Sequence, residues 1–196
     1  MGKTRIEAFS DGVIAIIITI MVLELEAPHG ATLAALQPLV PTLLGYALSF
    51  VYVGIYWNNH HHLFQAVQRI SGAVLWLNLH LLFWLSLLPF VTAWMGENGF
   101  ATVPVAVYGV VLLMCAVSYA ILEHRLASLN AGNRRLAQAI GADWKGWISL
   151  LLYASGIVLG LAQAWIGLTI YVLVALVWFI PDRRIERAFD RDAEEA

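Results

Sequence analysis

The sequence predicts an all-α integral membrane protein, one six-helix bundle with both termini in the cytoplasm. Three observations predict it. Apolar residues make up 61% of the 196-residue chain and charged residues only 12%, about half the charged share of an ordinary soluble domain. The apolar residues fall in long blocks, and the mean hydropathy is +0.77. Threading those blocks through a bilayer puts all 11 basic residues on one side, the asymmetry expected of cytoplasmic segments.

The spans are read at 6–25, 36–67, 73–94, 103–122, 147–164 and 166–187. Most are long enough for a hydrocarbon core of about 30 Å at about 1.5 Å per helical residue. The first opens on Asp11 and is followed by Glu24 and Glu26, with no small-residue cleavage site, so it reads as a retained helix rather than a signal peptide. The second ends in the polar run Trp57-Asn58-Asn59-His60-His61-His62. The fifth and sixth nearly touch, leaving Trp165 to Gly167 for the turn of a tight hairpin, and Gly156-x-x-x-Gly160 permits close helix approach there. Leu126 to Asp143 reads as a polar cytoplasmic loop, and Asp182 to Ala196 as a helical continuation fraying into solvent.

Orientation follows from the basic residues. Lys3 and Arg5, Arg69, the group Arg125, Arg134, Arg135 and Lys145, and the tail arginines all fall inside when the chain starts inside; Glu24, Glu26 and Glu97 fall outside. Trp57, Trp94, Trp144, Trp147 and Trp178 lie near helix ends, as an interfacial belt requires, whereas Trp76, Trp84 and Trp165 read as core.

Several functions are disfavoured. A net charge of -2 supplies no footprint for nucleic acid. A single cysteine, Cys115, excludes an intrachain disulfide and a Cys-based metal site, and it reads as packing. His60, His61 and His62 are adjacent, but the other histidines are single and on opposite sides, which is poor spacing for a metal-dependent enzyme. No cofactor, metal site or enzymatic activity is expected.

The first helix carries most of the information. At about 100° per residue with Ile16 at zero, Gly12, Thr19, Ile20 and Leu23 fall in one stripe about 100° wide, and Asp11 lies nearly opposite. The stripe either packs on helices and lipid or, facing copies of itself, closes an apolar ring at Ile16 of the kind that gates by dewetting. Thr19 would then add a ring of hydroxyls, and Glu24 and Glu26 would gather cations at the outer mouth. Asp11, with Ser10, either caps the helix, pairs structurally with Arg5 or another partner, or meets the transported species.

Arg5-x-x-x-Phe9-Ser10-Asp11, followed by Gly12 to Thr19, resembles the signature of the transmembrane protein 175 family of potassium-permeable channels. Trp57 with His60 and His61, Asn78, and Pro89-Phe90 are similar to later elements of that family, so the likeness extends over the six-helix layout. The resemblance implies a pore lined by the first helix and no re-entrant pore loop; consistently, the chain has no Thr-Val-Gly-Tyr-Gly element. It implies a homotetramer in a prokaryotic plasma membrane, passing potassium and other monovalent cations with modest preference over sodium. It places Ile16 at the constriction, Thr19 at a polar layer, and Ile20 and Leu23 at further rings. Arg5, Phe9, Ser10 and Asp11 would form a structural network with His61 and Asn78. The competing readings are a proton-coupled transporter or proton leak using Asp11 and His60 to His62, a histidine-dependent membrane enzyme, and a structural membrane protein.

Overall fold

The computed structural model describes residues 2–133, 136 and 144–179, and every regular element among them is a helix. The helices are α1 (Lys3–Leu23), α2 (Val40–Ala66), α3 (Gly72–Ser86), α4 (Leu88–Glu97), α5 (Thr102–Leu129), α6 (Trp144–Ala162) and α7 (Ala164–Phe179). A short 3-10 segment, Leu33–Leu39, leads into α2. Five stretches are long and apolar enough to cross a bilayer: Lys3–Leu23, Leu33–Ala66, Gly72–Glu97, Thr102–Leu129 and Trp144–Ala162. The last helix, α7, is equally apolar but has 16 residues. Its expected extension to residue 187, the tail, and most of the segment between α5 and α6 lie outside the described residues.

The expected third span is two helices. Pro89 occupies the first turn of α4. A proline has no N–H to offer the preceding turn and its ring displaces a carbonyl, so the helix breaks at Leu87. Because α4 then packs on both α1 and α2, this break aims the second half of the span at the first helix.

Other boundaries move for packing reasons. α1 begins at Lys3, so Ser10 and Asp11 lie two turns inside it, and the residue capping it is Gly2. Capping by Asp11 is therefore overturned. α5 runs to Leu129, past the expected end at 122, because Leu126 is fully buried and Asn130 closes the helix. Asn130 donates to the Leu126 carbonyl at 3.0 Å and accepts the backbone N–H of Arg69 at 2.9 Å, fixing the α2–α3 link to the end of α5. The α6–α7 break falls at Gln163, earlier than the Trp165 turn read from sequence. At this hairpin a Cβ added to Gly167 would lie 2.9 Å from the Gly156 carbonyl oxygen, so the Gly156/Gly160 pair does meet a glycine of α7.

Two tryptophans expected in the core face outward: Trp76 is 75% and Trp165 62% exposed. Both lie in the opening turns of their helices, where an indole belongs to the interface rather than the interior. Cys115 is fully buried. The core runs through the middle of α2, α3 and α5, with Tyr52, Phe64, Leu81, Leu85, Leu112 and Leu122 among its fully buried side chains.

Candidate functional site

α1 has two faces. Ile6, Ser10, Ile14, Ile17 and Met21 are buried; on the wheel they cluster between about 80° and 160° from Ile16. Against them pack α2, α3 and α4. The Ile16 stripe is left uncovered by the chain's own helices: Ile16 is 58% and Leu23 79% exposed, and Gly12, Thr19 and Ile20 are exposed with them. Thr19 Oγ donates to the Ile16 carbonyl at 2.9 Å. Its proton is thereby directed into the helix, and the oxygen lone pairs remain on the open side.

The buried face is held by a directed polar chain. Asn78 Nδ2 donates to Ser10 Oγ at 2.9 Å. The Asn78 amide oxygen is then the acceptor for His60 Nε2–H at 2.8 Å. Ser10, Asn78 and His60 are all buried, and His60 stacks on Phe64 with ring centroids 4.4 Å apart. In an apolar interior each of these groups would cost free energy if left unpaired. Together they satisfy one another and fix α1 against α2 and α3.

A second anchor lies beside it. Trp57 Nε1 donates to Asp11 Oδ1 at 3.0 Å. His61 stacks on Trp57, centroids 6.1 Å apart, and accepts from Gln65 Nε2 at 2.8 Å. Lys3 Nζ reaches the Gln65 carbonyl at 2.9 Å, tying the start of α1 to the end of α2.

Of the residues singled out in sequence, Ser10, Asp11 and Asn78 take part in these anchors and His61 supports one by stacking. Arg5 and Phe9 are exposed on α1 and are not brought to the junction. Asp11 bonds to Trp57 rather than to Arg5. Asn78 pairs with His60, which the expected network left out, and the other member it left out is Trp57, quoted for the resemblance and placed at the interface. The signal for His60 was available: it continues the buried series Tyr52, Tyr56, His60, Phe64 at intervals of four, whereas His61 is in phase with outward-facing Trp57.

At the opposite end of α1 an open groove of about 600 Å³ runs between α1 and α4. Ile16 and Ile20 form one wall, Phe90 and Trp94 the other, and Glu24 and Glu97 lie along it. Glu26 is exposed beyond the end of α1. Among the described residues no three His, Cys, Asp or Glu side chains converge as a metal-ligand set.

A bundle of apolar helices, with five stretches long enough to cross a bilayer, defines a multi-pass membrane protein, and the class of membrane protein follows from its relatives. Residues 5–89 match the family model described as endosomal/lysosomal potassium channel TMEM175. The chain is 54% identical over 96% of its length to a potassium channel of Chryseobacterium sp. (strain P1-3), covering 98% of that protein. It is 31% identical to a potassium channel of Chamaesiphon minutus over 88% of its length, covering 91% of that protein. A crystal structure described as a lysosomal potassium-selective channel TMEM175 homologue from Chamaesiphon minutus superposes with a TM-score of 0.78 at 28% identity, over 90% of this chain and 95% of that one. The human endosomal/lysosomal proton channel TMEM175 is 38% identical over 90 residues, 18% of its own length. This chain belongs to the TMEM175 family, a family of ion channels and not of enzymes.

Proposed function

We propose that this chain is one subunit of a homotetrameric, passively conducting potassium-permeable channel in a prokaryotic plasma membrane. The observation that carries the reading is the Ile16 stripe: α1 is anchored on its buried face by Ser10 and leaves Gly12, Ile16, Thr19, Ile20 and Leu23 uncovered by the rest of the chain. Four such stripes facing one axis make a pore whose narrowest point is the Ile16 ring. An apolar ring passes hydrated ions poorly and gates by dewetting. The Thr19 oxygens, one turn outward, offer a partial substitute for lost water. A single hydroxyl layer with no carbonyl filter favours modest selectivity for potassium over sodium.

With the termini in the cytoplasm, as the one-sided basic residues favour, Glu24, Glu26 and Glu97 stand at the outer mouth and raise the local cation concentration. Asp11 and His60 are engaged by Trp57 and Asn78, respectively. Their role in this reading is to hold α1 rather than to relay protons.

The test is potassium and sodium flux into liposomes containing the purified chain, with Ile16→Asn measured beside it. A polar ring stays wet, so flux rises in the variant if Ile16 is the constriction. No cation flux from intact oligomers of either protein would sink the channel reading. Flux that follows only a pH gradient and vanishes in Asp11→Asn would replace it with the proton-coupled one.

A further inference from the structure

The groove between α1 and α4 is graded along its length. It is apolar where Ile16, Ile20, Pro89 and Phe90 line it. Ile16 is 58% and Phe90 64% exposed, so these surfaces are open rather than packed. Its other end is acidic: Glu24 directly follows the last residue of α1, and Glu97 closes α4. No lysine, arginine or histidine is among the lining residues. Among the described residues neither carboxylate has a hydrogen-bond or ion-pair partner.

Two helix ends reinforce the carboxylates. Both α1 and α4 finish here, so the negative ends of both helix dipoles lie at this end of the groove. Two acids, two helix C-termini and no base select a positively charged head. The apolar part selects a tail. From Val13 to Glu24, α1 runs about 16 Å at about 1.5 Å per residue, the reach of an alkyl chain of medium length. The groove volume of about 600 Å³ lies within the range of about 300–1,000 Å³ usual for small-molecule sites. An inorganic cation would leave the apolar walls uncovered, and a neutral chain would leave the carboxylates unpaired. A second copy standing in the same direction brings no lysine or arginine to this level, since residues 23–40, 97–102 and 162–164 contain none.

We propose that the α1–α4 groove binds a single-chain amphipathic cation, its ammonium head at Glu24 and Glu97 and its alkyl tail along Ile20, Ile16 and Phe90, and that occupancy lowers potassium conduction. Ile16 and Ile20 belong both to the groove and to the open stripe of α1. A tail against them takes up space beside the narrowest ring, and a cationic head cancels the pull of the two carboxylates on permeant cations. The effect on conduction rests on the channel function proposed above; the binding does not.

The experiment uses the full chain in phosphatidylcholine liposomes and a decyltrimethylammonium probe carrying a diazirine in its tail. Photolabelled peptides are mapped with unlabelled decyltrimethylammonium as competitor, and potassium flux is read in the same vesicles. The expected result is saturable, competed labelling within residues 13–24 and 86–97, with potassium flux falling over the same concentrations while valinomycin-carried flux does not. Tetramethylammonium, which lacks the tail, and decanol, which lacks the charge, compete only weakly. Glu24→Gln combined with Glu97→Gln weakens labelling about ten-fold, the size expected of two solvated ion pairs. Ile20→Trp, which fills the groove and leaves both carboxylates in place, abolishes labelling. The proposal is overturned by no competed labelling in the parent, by equal competition from decanol, or by full labelling in Ile20→Trp. Labelling absent from intact oligomers but present in dissociated chains would assign the groove to a neighbouring copy and equally overturn it. Labelling that leaves potassium flux unchanged overturns the effect on conduction. A parent with no flux at all sinks the channel function, and the labelling still decides the site.

Discussion

Trp57 and Asp11, 46 residues apart in sequence, meet through an indole N–H to carboxylate hydrogen bond of 3.0 Å. This bond gives the acid in the first helix a partner within its own chain. Asp11 lies on the side of α1 away from the Ile16 stripe, and in the function proposed above it acts as a strut. Trp57→Phe keeps the ring that stacks on His61 and removes the donor. It should lower stability by about 1 kcal/mol, the usual net value of one such bond. Asp11→Asn should cost less, because its amide oxygen still accepts. A double-mutant cycle by thermal or denaturant unfolding in detergent checks the pair, and zero coupling would show that the bond contributes nothing.

The buried chain Ser10–Asn78–His60 should be more sensitive. Asn78→Leu leaves a hydroxyl and an imidazole N–H without partners, at a cost of about 1–3 kcal/mol for each stranded group. Adding His60→Phe should recover part of the loss, since the ring that stacks on Phe64 is preserved while the orphan donor disappears. Unfolding midpoints of the two proteins test this. A double variant less stable than Asn78→Leu alone would mean that His60 matters for something other than Asn78.

In the proposed channel Thr19 serves selectivity, and its hydroxyl bonds only within its own helix, so the fold of the subunit does not depend on it. Thr19→Ala should leave the unfolding midpoint within about 0.5 kcal/mol of the parent, as for an exposed site. It should bring the potassium and sodium fluxes closer together, while Thr19→Ser preserves their ratio. Bi-ionic flux in liposomes decides. An unchanged ratio in Thr19→Ala removes the hydroxyl layer from the mechanism.

Two glycines should respond in opposite ways. A Cβ on Gly96 would stand 2.6 Å from Thr42 Cα, a backbone atom that cannot move aside, whereas Gly12 has nothing within 4 Å in the subunit. Gly96→Ala should therefore push α4 off α2 and cost several kcal/mol, at the upper end of single substitutions. Gly12→Ala should stabilise the helix by about 0.5–1 kcal/mol, from backbone entropy alone. Oligomer size is measured alongside. A Gly12→Ala chain that folds but dissociates would show that the open stripe is packed tightly by neighbouring copies instead of lining water.

The sequence by itself determined the class of the fold and the phase of the Ile16 stripe on α1, while its exposure was decided by how α2, α3 and α4 pack on the other face. Block hydropathy is a property of composition over about 20 residues, and helical phase is a property of spacing, so neither needs a partner to be read. The signature around Phe9, Ser10 and Asp11 was legible through its resemblance to a known family. Tertiary structure alone decided which groups meet across the chain. His60 rather than His61 reaches Asn78, Trp57 rather than Arg5 reaches Asp11, and the span containing Pro89 breaks at Leu87 so that α4 lies along α1. Adjacent histidines differ by about 100° on the helix, and which of them points inward depends on where α3 packs. The groove lined by both Glu24 and Glu97 draws its walls from helices far apart in sequence. Proximity of that kind is set by how helices cross, which no local pattern encodes.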